Sequence, residues 1–321
     1  MINFRFHLVS LTAVFLALAL GIAVGATVVD QKTVSTLRSQ VNRVDHRLDG
    51  VETENGRLRT ELGLWDAFAR EEDGKGALVQ GRLSGMRVLV IAARGTDVDP
   101  LVKLRDTLAS AGASLEGTVW FTPKLKLDPA NTATADDVRA LAADVGEGAL
   151  DKADGARHAA LHRLATSWTG ADAGTASNPL EAMVSDHFLD YEPMPTGGLA
   201  LSSIPQANTM FVVASSAGSE VPNDLITVPF TAELAQAGGH RVLAVEPAHD
   251  SPTKGQPPLR ATFVGPLRQA PVTTARLSTV DDLEDVRGRV ASVLALSDLG
   301  RGKVGHYGLG PGAASQLPPG S

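Results

Sequence analysis

The chain has 321 residues, a net charge of −7 and no cysteine. No basic block occurs beyond the N-terminal seventy residues, which argues against nucleic acid as the main partner. The lack of cysteine excludes a cysteine-ligated metal site, a thiol nucleophile and a cysteine-linked lipid anchor. It does not exclude an extracytoplasmic location, because a domain of this size can bury enough core without disulfides.

The N-terminus carries a long apolar run. Leu8–Val29 holds twenty-two residues without a charged side chain, and as a helix it would cover about 33 Å, enough to cross a bilayer. Arg5 precedes the run and an aspartate follows it, so the positive-inside rule places the N-terminus in the cytoplasm. Ala23 and Gly25 are spaced as in a signal-peptidase site, so a cleaved signal peptide is the alternative. We expect residues 1–30 to be an uncleaved, single-pass anchor in the cell membrane.

A second pattern follows directly, over residues 31–73. Apolar residues recur there at alternating steps of three and four, as in the a/d seam of a coiled coil. The seam consists of Val34, Leu37, Val41, Val44, Leu48, Val51, Asn55, Leu58, Leu62 and Trp65. Asn55 falls on an a position, where a buried asparagine fixes the register and favours two strands. We therefore predict a homodimer, with a single amphipathic helix packed on its own domain as the alternative.

Residues 80–305 are predicted to form an extracytoplasmic α/β domain. A continuous apolar run at Arg87–Ala92 predicts a buried strand of a parallel sheet, and a turn, a helix and a second strand follow it. The predicted strands are 87–92, 114–121, 209–215 and 241–246, and 277–279 is a short strand or a cap. The predicted helices are 100–111, 134–150, 153–168, 178 or 179 to 189, 229–237 and 281–296. This order predicts a Rossmann-like, doubly wound fold. Residues 306–321 are rich in glycine and proline and are predicted to be a flexible tail.

The first turn of this domain lacks the residues of a nucleotide site. It reads AARGTDVDP, with Gly95 as its single glycine, whereas the dinucleotide fingerprint needs closely spaced glycines so that the backbone can approach the phosphates. A GxxxxGK phosphate loop is also missing. Ser215 and Ser216 follow a predicted strand but have no GxSxG elbow around them. We therefore predict a doubly wound domain that holds no evident cofactor and is not an enzyme.

Two groups of polar residues are weak candidates for chemistry. His158 and His162 stand at i and i+4 of a predicted helix, a spacing that can hold a metal ion. Two ligands do not complete a site, so a pair of half-exposed surface histidines is the alternative. The acidic residues Asp281, Asp282, Glu284 and Asp285 are interpreted as the start of the last predicted helix, where the macrodipole favours negative charge.

Several stretches of the chain resemble a known family, the actinobacterial copper-transport proteins typified by mycobacterial MctB. These stretches are the opening MINFRFHLVSLTAVFLALALGIAVGA, the run RSQVNRVDHRLDGVETENGRLRTEL, the strand MRVLVIAARGTD and the closing STVDDLEDVRGRVASVLALSDLGRGKVGHYGLGPGA. The resemblance spans nearly the whole chain, and the opening and the HYGLGPGA ending are its most specific parts.

The resemblance implies a membrane-anchored envelope protein that keeps intracellular copper low, with copper as the ion transported or sensed. A related branch, the SteB-like proteins, implies instead a dimeric scaffold that acts with a membrane partner on peptidoglycan hydrolases to control cell separation. One membrane helix per chain cannot enclose the hydrophilic path that an ion needs. The residues themselves therefore favour an interaction module with an envelope or division protein as its partner.

Overall fold

The computed structural model describes residues 4–28, 78–128, 135–170, 178–195, 199–251, 256 and 258–319, together with seven separate helical positions: Gln40, Val44, Arg47, Gly50, Val51, Asn55 and Gly56. The chain divides into two compact units, Met1–Phe68 and Ala69–Ser321. In the first unit, helix α1 spans Phe4–Val28. Apolar residues fill nearly all of this helix, and the described side chains are exposed along its whole length.

The second unit is a mixed α/β domain, as predicted. Its strands are β1 (Arg87–Ala93), β2 (Ser114–Phe121), β3 (Leu189–Glu192), β4 (Met210–Ala214), β5 (Val242–Val245), β6 (Leu277–Val280) and β7 (His306–Tyr307). Its helices are α2 (Val98–Ser110), α3 (Ala135–Asp144), α4 (Ala153–Thr169), α5 (Leu180–Ser185), α6 (Val228–Gly238), α7 (Val264–Gln269), α8 (Pro271–Thr274) and α9 (Val286–Leu299).

The described strands form one sheet in the order β3-β2-β1-β4-β5-β6-β7. Every neighbouring pair is parallel except β2 and β3, which are antiparallel. The order reverses between β1 and β4, because the chain leaves β1 toward one edge of the sheet and later returns to its other side. A point of this kind is where open α/β sheets hold their ligands, outside the carboxyl ends of the strands.

Strand β1 lies at the centre of the core, which explains why its sequence is continuously apolar. Alternate residues of a strand point to opposite faces. Val88 and Val90 therefore pack with α2 and α9 on one face, while Leu89 and Ile91 pack with α3, α4 and α6 on the other. A strand that is buried on both faces favours apolar residues at every position.

Three predicted helices have other bounds in the structure. The helix predicted over 134–150 is the shorter α3, which is followed by turns. The helix predicted to begin at Asp281 begins at Val286, with Asp285 as its N-cap: the Asp285 carboxylate accepts a hydrogen bond from the Arg287 N–H. The end of the helix predicted over 179–189 is instead the start of β3.

The C-terminal segment corrects the prediction of a flexible tail. Strand β7 extends the sheet beside β6, and the described residues after it fold back so that the Gly308 N–H donates to the Ser315 carbonyl at 3.0 Å. The glycines serve close packing rather than mobility. A Cβ atom at Gly308 would lie 2.1 Å from Oδ1 of Asp281, and one at Gly310 would lie 2.7 Å from Oδ2 of the same residue.

A buried ion pair holds this segment in place. The side chains of Arg268 and Asp281 are 2% and 0% exposed and contact each other directly. Arg268 also donates to the carbonyls of Tyr307 (2.8 Å) and Pro311 (3.0 Å). Asp281 accepts from the backbone N–H groups of Leu309 (2.6 Å) and Gly310 (2.9 Å). We call residues 306–319, with the Arg268–Asp281 pair, the C-terminal clasp.

The substitution Asp281→Asn tests the clasp. It leaves the Arg268 guanidinium buried without its counter-ion, so the free energy of unfolding should fall by about 3–5 kcal/mol. The measurement is urea unfolding of the full chain followed by tryptophan fluorescence. Lys103→Met is the matched control, because it breaks an exposed pair with Asp99 that contributes about 1 kcal/mol or less. Equal losses in the two variants would contradict a stabilising role for the clasp.

Candidate functional site

The carboxyl ends of β1 and β4 are where a ligand would be expected, and two loops of the chain fill this crevice. The Glu220 N–H donates to the Arg94 carbonyl at 2.8 Å, and the Ser219 hydroxyl lies 3.3 Å from the same oxygen. Gly95, with φ +87°, permits this contact, because a Cβ there would lie 2.5 Å from the Glu220 nitrogen. The single glycine of this turn therefore serves loop packing.

A third loop closes the crevice from the side of β5. The His249 ring lies against Gly218, where a Cβ would be 2.5 Å from its Cε1 atom. His249 is itself held by a two-residue antiparallel bridge with Leu259. The loops after β1, β4 and β5 thus touch one another through two glycines and leave the switch point filled by the chain.

Ser215 and Ser216 lie at this edge, but their contacts are structural. The Ser215 hydroxyl donates to the Asn223 side-chain oxygen at 2.6 Å, and the Asn223 amide donates to the Ser216 carbonyl at 3.1 Å. The Thr227 hydroxyl donates to the same Asn223 oxygen at 2.8 Å. A serine nucleophile is activated by a base within hydrogen-bond reach, whereas this hydroxyl is committed to an amide that shapes the turn after β4.

Glu246, at the end of β5, binds the backbone donors that an anionic ligand would use. Its carboxylate accepts from the N–H groups of Thr262 (2.8 Å), Phe263 (2.9 Å) and Val264 (3.0 Å), which lead into α7. Burial raises the pKa of the Glu246 carboxyl, and these hydrogen bonds oppose the rise. Sequence reasoning missed this residue, since a glutamate at the end of a predicted strand gives no signal of what it will bind.

The acidic residues after β6 divide into separate roles. Asp281 belongs to the C-terminal clasp, Asp285 caps α9, and Glu284 pairs with Arg260 at 2.5 Å. Asp282 is 1% exposed, and its Oδ1 atom has no hydrogen-bond partner among the described residues. Burial, and next the charge of Asp281, raise the pKa of Asp282 to about 7. The interpretation of the group as a simple acidic helix start is therefore wrong for Asp281 and Asp282.

The candidate metal pair lies on α4 as the spacing predicts. The His158 and His162 rings are stacked with centroids 6.3 Å apart, and both residues are exposed. Nδ1 of His162 lies 3.1 Å from Oε2 of Glu233 on α6. Within the described ranges, no group of three or more histidine, aspartate or glutamate side chains could hold a metal ion. A metal role for the pair stays a prediction.

The predicted anchor and seam lie in the first unit. Among the described helices, α1 alone is long and apolar enough to cross a membrane, by length and composition; the end of the predicted run, Val29, lies outside the described residues. Of the seam, Val44, Val51 and Asn55 are helical and exposed. The other predicted seam positions lie outside the described residues: Val34, Leu37, Val41, Leu48, Leu58, Leu62 and Trp65.

Comparison with known proteins gives matches over nearly the full length. The family model described as "Copper transport outer membrane protein, MctB" matches residues 1–318. The chain is 26% identical over 325 residues to the copper transporter MctB of Mycobacterium tuberculosis (strain ATCC 25618 / H37Rv) and to that of Mycobacterium bovis, covering 98% of each chain. It is 25% identical over 329 residues to the copper transporter MctB of Mycobacterium leprae, again covering 98% of each chain.

The pKa of Asp282 predicts a pH dependence. Between about pH 4 and pH 7 the folded protein holds a proton on this carboxyl that the unfolded chain releases, so its contribution to stability falls as the pH rises through this range. Asp282→Asn removes the titration. The free energy of unfolding of the variant, relative to that of the parent chain, should therefore rise by about 2–3 kcal/mol between roughly pH 5 and pH 8.

Urea unfolding at the two pH values measures this difference, with Asp106→Asn as the control for replacing an exposed aspartate on α2. If the difference in the free energy of unfolding between Asp282→Asn and the parent chain does not change with pH, the raised pKa of Asp282 is contradicted.

Proposed function

Because the chain belongs to the MctB family of copper transport outer membrane proteins, we propose that it is a membrane-anchored envelope protein that acts in copper homeostasis or efflux. The observation that carries the proposal is the match of the family model to residues 1–318. The curated relatives named copper transporter MctB match over 98% of both chains, which supports the same assignment.

The proposed topology is a single pass of α1 through the cell membrane. The described side chains of α1 are exposed along its length, and burial in lipid removes this apolar surface from water. The N-terminus would be cytoplasmic, since Arg5 precedes the apolar core, and the α/β domain would be extracytoplasmic. The narrower description of that domain as Rossmann-like and doubly wound is supported by its strand order and by the helices on both faces of the sheet.

The proposed role in copper handling is indirect. A single membrane helix cannot enclose the hydrophilic path that a copper ion needs, so transport would require a pore-forming partner. Cu(I) favours sulfur ligands, and the chain has no cysteine and five methionines. We propose that the protein supports copper efflux as a non-enzymatic partner of another membrane protein. His158 and His162 are the weak candidates for direct copper binding.

A second candidate function is a dimeric scaffold that binds envelope partners to control peptidoglycan hydrolysis and cell separation. Two observations favour it. The heptad pattern supports a parallel homodimer, and the loops after β1, β4 and β5 fill the crevice where an α/β enzyme would hold its substrate. A domain whose ligand crevice is occupied by its own loops is better suited to offer an outer surface to another protein.

A deletion strain separates the two candidates. If the protein acts in efflux, the strain should accumulate copper and become copper-sensitive, as measured by elemental analysis of washed cells. The full chain should restore copper content. A chain that carries a cleaved signal peptide in place of residues 1–30 delivers the same domain without an anchor. This chain should not restore copper content. Normal copper content in chained, poorly separated cells would overturn the copper role and favour the scaffold.

Cross-linking tests the homodimer. The chain has no cysteine, so Asn55→Cys introduces a single thiol at an a position of the seam. In membranes, this variant should form a disulfide-linked dimer under mild oxidation, because a-position side chains face each other in a parallel pair. Gly50→Cys is the control, since residue 50 falls at c on the outer side of the same helix. Monomer at both positions, or equal dimer at both, would contradict the proposed seam.

A further inference from the structure

A small polar pocket of about 90 Å³ lies at the C-terminal end of α9. It is bordered by the last turn of that helix, by the turns that precede β1, and by residues 318 and 319. At about 10–15 Å³ for each water-sized group, it has room for a compact ion of about five heavy atoms. It is smaller than the sites of drug-sized ligands, so its size favours a small ion.

The pocket gathers positive charge on an acidic protein. Arg82, Arg301 and Lys303 line it, whereas the whole chain has a net charge of −7. Asp298 is the one carboxylate among the described residues of the lining. The carbonyl end of α9 adds roughly half a negative charge, which together with Asp298 still leaves the pocket positive. Its charge therefore favours an anion.

The helix end does not account for these cations. The carbonyls of the last turn of α9 already accept the backbone N–H groups of residues 300–303, at 2.9–3.0 Å. Among the described residues, the Arg82 guanidinium and the Lys303 ammonium have neither a carboxylate at ion-pair distance nor a hydrogen-bond partner. Two of the three positive charges are therefore uncommitted.

A buried hydroxyl supplies a further donor. Ser297 lines the pocket and is 5% exposed. Its oxygen accepts a hydrogen bond from the Arg301 guanidinium at 2.9 Å, which holds that guanidinium beside the pocket. Within the described part of the chain, the Ser297 hydroxyl proton has no acceptor. Buried hydroxyls ordinarily find such a partner, and an anion in the pocket would provide it.

Asp298 determines which anion fits. Its carboxylate lies 3.4 Å from the Arg301 guanidinium, and an ionised carboxylate only accepts hydrogen bonds. An oxoanion without a proton, such as sulfate, would meet Asp298 with like charge and no hydrogen bond. Inorganic phosphate at neutral pH carries a P–O–H group, which can donate to Asp298 while the other oxygens accept from the cations and from Ser297.

We propose that this pocket binds inorganic phosphate. The three cations and the Ser297 hydroxyl donate to the phosphate oxygens, and Asp298 accepts the phosphate proton. The site is independent of the copper role and of the homodimer. It also gives the Asp298 carboxylate a function in an otherwise positive pocket, because this carboxylate discriminates against anions that have no proton to donate.

Phosphorus NMR of the full chain in phosphate-free maltoside micelles tests the site. Line broadening of inorganic phosphate, titrated at constant ionic strength, should saturate. Lys303→Gln and Arg82→Gln should each raise the dissociation constant about tenfold, because each removes a charge-assisted contact. Both residues are exposed, so the fold should tolerate their replacement. Lys152→Gln is the matched control: it removes the same charge from an exposed position outside the pocket and should leave the dissociation constant unchanged.

Competition by sulfate tests the role of Asp298. Sulfate should displace phosphate from the parent chain only at a concentration at least about tenfold above that of phosphate itself. Asp298→Asn removes the like charge, so sulfate should compete about as well as phosphate in this variant. Absence of saturable broadening, equal loss of affinity in Lys303→Gln and Lys152→Gln, or equal competition by sulfate and phosphate in the parent chain would overturn the proposal.

Discussion

The buried pair of Arg268 and Asp281 determines how the C-terminal half of the domain closes. Removing two charges from water costs several kcal/mol each, and only further hydrogen bonds can offset this cost. Arg268 gains the Thr279 hydroxyl and two carbonyls of residues 306–319, and Asp281 gains two backbone N–H groups of the same segment. The pair is therefore stable only when the segment is docked. Strand β7 is two residues long and contributes too few ladder hydrogen bonds to hold the segment against the sheet alone. The buried ion pair and the docked segment therefore depend on each other.

The same use of carboxylates recurs along the carboxyl edge of the sheet. Glu246 binds three N–H groups after β5, and Asp281 binds two after β7. In nucleotide-binding α/β proteins, donors of this kind hold phosphate. Here each set is occupied by a carboxylate of the same chain, which is always present beside its donors and would have to be displaced by a competing anion. This arrangement gives a physical reason for the absence of a phosphate loop, since the edge stabilises the fold.

Some of this fold could be predicted from the sequence because the signals are local. The stretch Val88–Ala92 is continuously apolar because β1 is buried on both faces, and β2 has the predicted bounds. Strand β3 could not be predicted, because it is held to the sheet by long-range pairs such as Arg94–Asp190 and Arg105–Glu192. The roles of Glu246 and Asp281 were equally hidden, since the backbone N–H groups that they bind lie 16 to 29 residues further along the chain.

The HYGLGPGA ending shows how a motif can identify a family without carrying its chemistry. Its composition is typical of a flexible tail, yet Gly308 and Gly310 are small because Asp281 approaches them closely. His306 is tied to Thr279 and to the Thr274 carbonyl, and burial lowers its pKa, which favours the neutral ring. The His306 ring and the Tyr307 carbonyl thus both take part in closing the domain. Resemblance in this stretch therefore reports a shared way of closing the domain. The residues that distinguish copper handling from scaffolding are therefore expected outside this stretch, on surfaces that remain open to other molecules, such as α1 and the predicted heptad seam.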